Sequence, residues 1–209
     1  HPNLYVNFTK ARMLSPDNRC KTFSADANGF VRSEGGVAIV LKPLSSALAA
    51  NDEILAVIHG SAVNHDGHTS GLTVPNGPAQ QDVIRKALRN ANLTPADINY
   101  VETHGTGTPL GDPIEVGALG AVFGPHHSAT SPLVLGAVKS NIGHLEAAAG
   151  LAGLLKVVLA LRHEAIPPNL HFERPNPHIP WGELPFTVPT SMRQWLPGPK
   201  GRIAGVSSF

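Results

Sequence analysis

The stretch "VETHGTGTPLGDPIE", Val101 to Glu115, puts a histidine at the end of a strand-like run, then a Gly/Thr loop, then a segment that opens as a helix. Upstream, "TPADINYVETHG" offers Thr94 as N-cap, Pro95 at the first helical position and Asp97 three residues after the cap, a short capped turn. The strand "INYVETH" leaves that turn and delivers His104 at its carboxyl end. Downstream, "DPIEVGALGAVFG" is expected to repeat the logic, with Asp112 as cap, Pro113 opening the helix and Glu115 three residues on. Strand, loop and helix in this order form the repeating unit of an α/β sheet, whose ligands gather at the carboxyl ends of the strands. The loop's glycines permit close backbone approach, and Thr106 and Thr108 add two hydroxyls, a combination suited to an elongated polar substrate arm. Taken alone, the loop is equally compatible with a structural histidine.

A second junction changes the weight of the first. "GAVKSNIGHLEAAAG", Gly136 to Gly150, follows the apolar run "PLVLGAVKS" and carries Lys139 and His144 five residues apart. His144 is expected at the start of a long helix, where the dipole and free N–H groups disfavour imidazolium and keep the ring neutral. A lysine at such an apolar junction needs a partner, and Glu115 is the carboxylate expected to supply it. Lys139 is otherwise a solvated loop charge.

Working outward, "GGVAIVLKP" from Gly35 reads as a buried strand ended by Pro43, and "EILAVIHGSAVNHDG" from Glu53 as another. A short helix is expected around Leu44 to Ala50. "NGPAQQDVIRKALRNANL" has Pro78 near its first helical position and Val83, Ile84, Ala87 and Leu88 on one face. "HLEAAAGLAGLLKVVLALRHE", apolar on most faces, reads as a helix buried all round. Residues 1–34 look loop-rich, residues 166–199 read as Pro- and aromatic-rich ordered loop, and "RIAGVSSF" closes with a strand.

Composition narrows the class. With 42% hydrophobic and 15% charged residues and a formal charge of +1, the 209-residue chain is neither disordered nor a strongly basic nucleic-acid binder. No apolar run reaches the roughly 20 residues that span a bilayer, no secretory leader pattern opens the chain, and a soluble, cytoplasmic protein is expected. The single Cys20 excludes an intrachain disulfide framework. The abrupt ends, "HPNLYVNF" and "RIAGVSSF", suggest a piece of something longer.

The two histidine stretches, together with "NGPAQQDVIRKAL" and "NPHIPW", closely resemble the β-ketoacyl synthases, specifically the ketosynthase domain of type I polyketide synthases, over essentially the whole chain. The resemblance implies a thiolase-like, layered αβαβα fold of two similar halves, of which this chain supplies mainly the C-terminal one. It divides the chain into residues 1–42, the end of the N-terminal half; 43–162, the C-terminal half; and 163–209, a Pro-rich extension with a final strand. It also implies decarboxylative Claisen condensation in polyketide or related fatty acid biosynthesis: an active-site Cys takes an acyl chain as thioester, and a malonyl-type extender on acyl carrier protein loses CO2 and attacks it. No tightly bound cofactor is implied, since substrates ride on the phosphopantetheine of the carrier protein. The implied partners are that carrier protein, the remainder of the ketosynthase, a neighbouring acyltransferase domain and a second copy in a homodimer, with neither nucleic acid nor membrane. By motif, His104 and His144 match the two catalytic histidines, Lys139 the family lysine and Glu115 its paired carboxylate. Thr106 and Thr108 match the hydroxyls that bind the phosphopantetheine arm, and Phe209 the first residue of a gating loop.

One departure is conspicuous. The family nucleophile lies in a Thr-Ala-Cys-Ser-Ser type motif that this sequence lacks, and Cys20 in "NRCKTF" has no small-residue turn at a helix start to activate it. The 209-residue chain is therefore expected to be inactive alone, and the alternative is a non-catalytic dimerisation or docking piece. A further rival is a metal site at His65, Asp66 and His68, which lacks a fixed ligand motif; the pair His126 and His127 reads as exposed loop.

Overall fold

Tyr100 and Val101, adjacent in one short strand, send their side chains into two different cores. A strand buried on both faces belongs inside a layered sheet. In the computed structural model, which describes residues 2–69, 71 and 73–209, that strand is β1 (Tyr100–Glu102). It lies between β2 (Leu133–Gly136) and β6 (Ala204–Val206), with β4 (Phe186–Thr187) beyond β2, all parallel in the order β4-β2-β1-β6. A separate antiparallel pair joins β3 (Ala165–Ile166) to β5 (Arg193–Gln194).

One face of the sheet, with Val101, Leu133 and Leu135, packs on Val116, Leu119, Val122 and Phe123 of α4 (Gly111–Phe123), against which α3 (Gly77–Ala91) lies. The other, with Tyr100 and Val134, packs on Val157 and Ala160 of α6 (Ala149–His163) and on Ile166 and Trp195. Leu133, Val134 and Leu135 thus alternate between the cores as a pleated strand requires. The Tyr100 and Trp195 rings meet edge-to-face, centroids 5.6 Å apart.

Several expectations hold. The turn at Pro95–Asp97 has its capping box, the Asp97 carboxylate accepting from the Thr94 N–H and hydroxyl, each at 2.7 Å. α2 spans Leu44–Ala49, and α3 starts behind Asn76, whose side chain accepts from Ala79 N at 3.2 Å.

Others do not. Residues 2–10, expected as loop, form α1 (Pro2–Lys10). The runs from Gly35 and Glu53 form no strand: they are irregular and largely exposed, Val40 at 97%, and no neighbouring segment among the described residues pairs with them in a ladder. Asp112 does not cap α4; Leu110 stands at the cap position, Asp112 lies in the first turn, and Thr108 Oγ1 accepts from Gly111 N at 3.1 Å. Nor is α6 buried all round. Leu155 and Leu159 are exposed and line an apolar groove of about 690 Å³, since an Ala/Leu composition does not by itself say which faces find neighbours.

Leu119 is 1% exposed within the first core, whereas a Cβ on the exposed Gly117, in the same helix α4, would meet nothing within 4 Å. In chemical denaturation, Leu119→Ala should therefore cost about 2–5 kcal/mol, while Gly117→Ala should gain up to about 1 kcal/mol.

Candidate active site

The strands β2, β1 and β6 end level, because Glu102 pairs with Gly136 on one side and Val206 on the other. The segments that leave them carry His104 after β1, α5 (Lys139–Ile142) after β2 and Phe209 after β6, and they meet at one edge of the sheet. The His104 and His144 rings lie edge-to-face with centroids 5.3 Å apart, and Phe209 stacks on His104 at 4.2 Å.

Both rings have their tautomer set by the backbone. Phe209 N–H donates to His104 Nδ1 at 3.3 Å, and Glu146 N–H donates to His144 Nδ1 at 2.9 Å. A backbone N–H cannot accept, so each Nδ1 is bare and each neutral ring carries its proton on Nε2. Burial, then the Lys139 charge and His144, pushes His104 down to about 2. Burial and Lys139 push His144 down to about 4, opposed by Glu146. The neutrality expected of His144 thus has another cause than a helix start: α6 begins only at Ala149, after a 3-10 turn at Glu146–Ala148.

Two carboxylates of α4 hold the loop that carries His104. Glu115, 2% exposed, accepts from His104 N at 2.7 Å and Gly105 N at 2.9 Å; Asp112, 1% exposed, accepts from Phe23 N at 2.7 Å and Gly107 N at 3.0 Å. Burial pushes Glu115 up to about 7 and Asp112 up to about 6, against the pull of these donors. The loop itself demands glycine. Gly107 has φ +78°, and a Cβ there would lie 2.8 Å from Lys21 N.

The pairing expected of Lys139 with Glu115 is one of charge and not of direct contact. Both Glu115 oxygens face backbone donors, and no ion pair joins the two side chains among the described residues. Glu115 acts on Lys139 at longer range: burial lowers the lysine pKa, and the charges of Glu115 and Glu102 raise it. Lys139, 2% exposed, lines a small cavity of about 240 Å³ with Cys20, Ser140, Asn141 and His171.

Residues 19–34, featureless in the sequence, form a wall of the site. Thr22 Oγ1 donates to Gly105 O at 2.6 Å and Gly29 N to Gly107 O at 3.0 Å, while His144 N donates to Val31 O at 2.7 Å. Only the run of Asp, Asn and Gly hinted at tight turns there. Cys20 is buried, its Sγ accepting from Val31 N at 3.2 Å, and burial raises its thiol pKa. Thr106 and Thr108 stand half-buried on the loop with hydroxyls 3.4 Å apart.

His65, His126 and His127 lie elsewhere. His65 Nδ1 accepts from Gly67 N at 2.8 Å, Asp66 is engaged by Asn76, and among the described residues no three His, Cys, Asp or Glu group as metal ligands. His126 is exposed, but His127 is half-buried, its ring nitrogens 3.3 Å from Ser131 O and Pro95 O. No described helix is long and apolar enough to cross a membrane.

Comparison with known proteins agrees with this geometry. The family described as Beta-ketoacyl synthase, C-terminal domain, matches residues 55–173, and Beta-ketoacyl synthase, N-terminal domain, matches residues 1–47. The chain is 52% identical over 209 residues to the mycoketide-CoA synthase of Mycobacterium tuberculosis, covering all of this chain and 5% of that protein. It is 51% identical to a phenolphthiocerol/phthiocerol polyketide synthase subunit of the same species, covering all of this chain and 11% of the relative. The chain therefore spans only a small part of these relatives. A ketosynthase from module 6 of the bacillaene synthase of Bacillus subtilis superposes with a TM-score of 0.95 at 44% identity, covering all of this chain and 38% of that one. The layered, thiolase-like α/β fold is thereby confirmed, and the chain belongs to the β-ketoacyl synthase family.

Proposed function

We propose that this chain forms the decarboxylation side of a polyketide synthase ketosynthase, working on a malonyl-type extender carried by the phosphopantetheine of an acyl carrier protein. The observation that carries the reading is the pair of neutral imidazoles, His104 and His144, each with Nδ1 occupied by a backbone N–H and Nε2–H left to donate. When the extender loses CO2, the electron pair of the breaking C–C bond flows into the thioester carbonyl and an enolate oxyanion develops. Two preorganised Nε2–H donors stabilise that oxygen without a proton transfer. The enolate carbon then attacks the acyl thioester, and the new C–C bond forms as the carrying thiolate leaves.

The other residues serve that step. Lys139 holds positive charge beside both rings and opposes their protonation. Glu115 fixes the His104 backbone, Thr106 and Thr108 grip the carrier arm, and Phe209 gates the entry. The acyl group rides on a thiol other than the buried Cys20, so these 209 residues alone are not acylated. The remainder of the ketosynthase, an acyltransferase domain and a second copy are the partners, in the cytoplasm, with residues 1–42, 43–162 and 163–209 as the tail of one half, the second half and the closing extension.

His104→Ala or His144→Ala in the intact synthase should lower malonyl-thioester decarboxylation about 10²–10³-fold, followed by CO2 release, while acylation of the synthase measured by mass persists. Activity near that of the unaltered enzyme in either variant would sink the reading. Because both rings titrate below the usual 6.5, neither imidazole should gain a proton as the pH falls from neutrality to about 5, followed by NMR of the ring protons, and His144 should charge only near pH 4; protonation of either ring near 6.5 contradicts it. Cys20→Ser should leave acylation of the intact synthase unchanged, and loss of the acyl adduct would identify Cys20 as the nucleophile.

A further inference from the structure

Glu102, 1% exposed, sits outside the histidine pair yet joins the end of β6, the start of α5 and α6. Its backbone oxygen accepts from Ser207 N at 2.8 Å, at the end of β6 that leads to Phe209. Its Oε1 accepts from Val138 N, the residue just before α5. Its Oε2 accepts from the Tyr100 hydroxyl at 2.5 Å and lies 2.9 Å from Lys156 Nζ on α6. The ammonium meets the distance of an ion pair but not the angles of a hydrogen bond, so it acts on the carboxylate by charge rather than as an aimed donor. Gly153, one turn before Lys156, lets α6 close on this group, since a Cβ there would come within 3.1 Å of Glu102 Cγ.

These contacts form a bracket. Two residues after Glu102 stands His104; one residue after Val138 stands Lys139, and α5 then runs to Ile142, with Gly143 and His144 following it. The bond from Glu102 to Val138 N is thus the short link between the end of β1 and the start of α5, and it bears on the 5.3 Å separation of the two rings. A charge buried among neutral groups is costly, and Lys156 Nζ, 2.9 Å away, is the opposite charge beside Glu102.

We infer that Glu102, held by Lys156, is a positioning residue that sets the seat of α5 and with it the relation of His144 and Lys139 to His104. The inference rests on the decarboxylation reading above, and its loss falls on the rate at saturating extender rather than on extender binding, because Glu102 lies beneath the strand ends.

The test uses the intact synthase and separates charge from geometry. Replacing a buried ion pair by apolar groups of similar size is often neutral for stability, so Glu102→Leu with Lys156→Met should fold while depriving Val138 N of its acceptor. Glu102→Gln with Lys156→Met keeps a neutral acceptor in an uncharged site. The Leu/Met variant should show kcat for decarboxylation about tenfold lower with KM within about twofold, and the Gln/Met variant should restore kcat to within about threefold of the original enzyme. Equal kcat in both double variants, with melting temperatures like that of the original enzyme, would overturn the inference. Should the Leu/Met variant fail to fold, Glu102→Gln alone decides. Lys156 is then buried without its counter-charge and draws the amide oxygen away from Val138 N, a competition absent from the Gln/Met variant, so kcat per folded enzyme should drop at least about threefold, and an unchanged kcat refutes the proposal. His104→Ala in the same assay tells the failures apart: if it too retains decarboxylation, the functional reading falls, whereas its inactivity beside a fully active Glu102 variant removes the positioning role alone.

Discussion

The site depends on two carboxylates buried under a loop. Glu115 and Asp112, three residues apart on α4, take the N–H groups of His104, Gly105, Gly107 and Phe23. Unpaired buried N–H groups would each cost about 1–3 kcal/mol, and a loop with two glycines at positive φ would have no reason to keep one shape. Anchored at three points, with Phe23 N–H tying in the neighbouring wall, it presents His104 rigidly, and the rest of the site is built against it. The same burial that fixes the carboxylates lowers the pKa of both histidines and of Lys139, so one dry environment sets geometry and protonation together.

The parallel sheet turns this local anchor into a convergent site. Level strand ends put His104, α5 and Phe209 side by side, although they lie far apart in the chain. Each contributes what the others lack: Phe209 N–H assigns the His104 proton, α5 carries Lys139, and the following loop carries His144, whose proton is assigned by Glu146 N–H. Below them, Glu102 and Lys156 join β1, α5 and α6.

Much of this was legible in the amino-acid order because it is local. The capped turn at Thr94, the strand reaching His104, the α3 face with Leu88 and the glycine loop each follow from residues a few positions apart. What was not legible is long-range. Whether Val40 is buried depends on a ladder partner and not on its own β-propensity, and whether Leu159 is covered depends on what lies over α6. The range at which Glu115 acts on Lys139 is hidden for a similar reason: the sequence shows complementary charges, but not that backbone N–H groups already face both Glu115 oxygens. Likewise Glu102 looked like one more strand residue, since nothing in "NYVETH" reveals that Val138 and Lys156 converge on it.

The central claim, that both histidines are neutral donors through Nε2, is open to direct observation. Nitrogen-15 NMR of the ring nitrogens of His104 and His144 in the intact synthase at neutral pH should show Nδ1 unprotonated and Nε2 protonated in each. A proton on Nδ1 of either ring, or an imidazolium, would contradict the account.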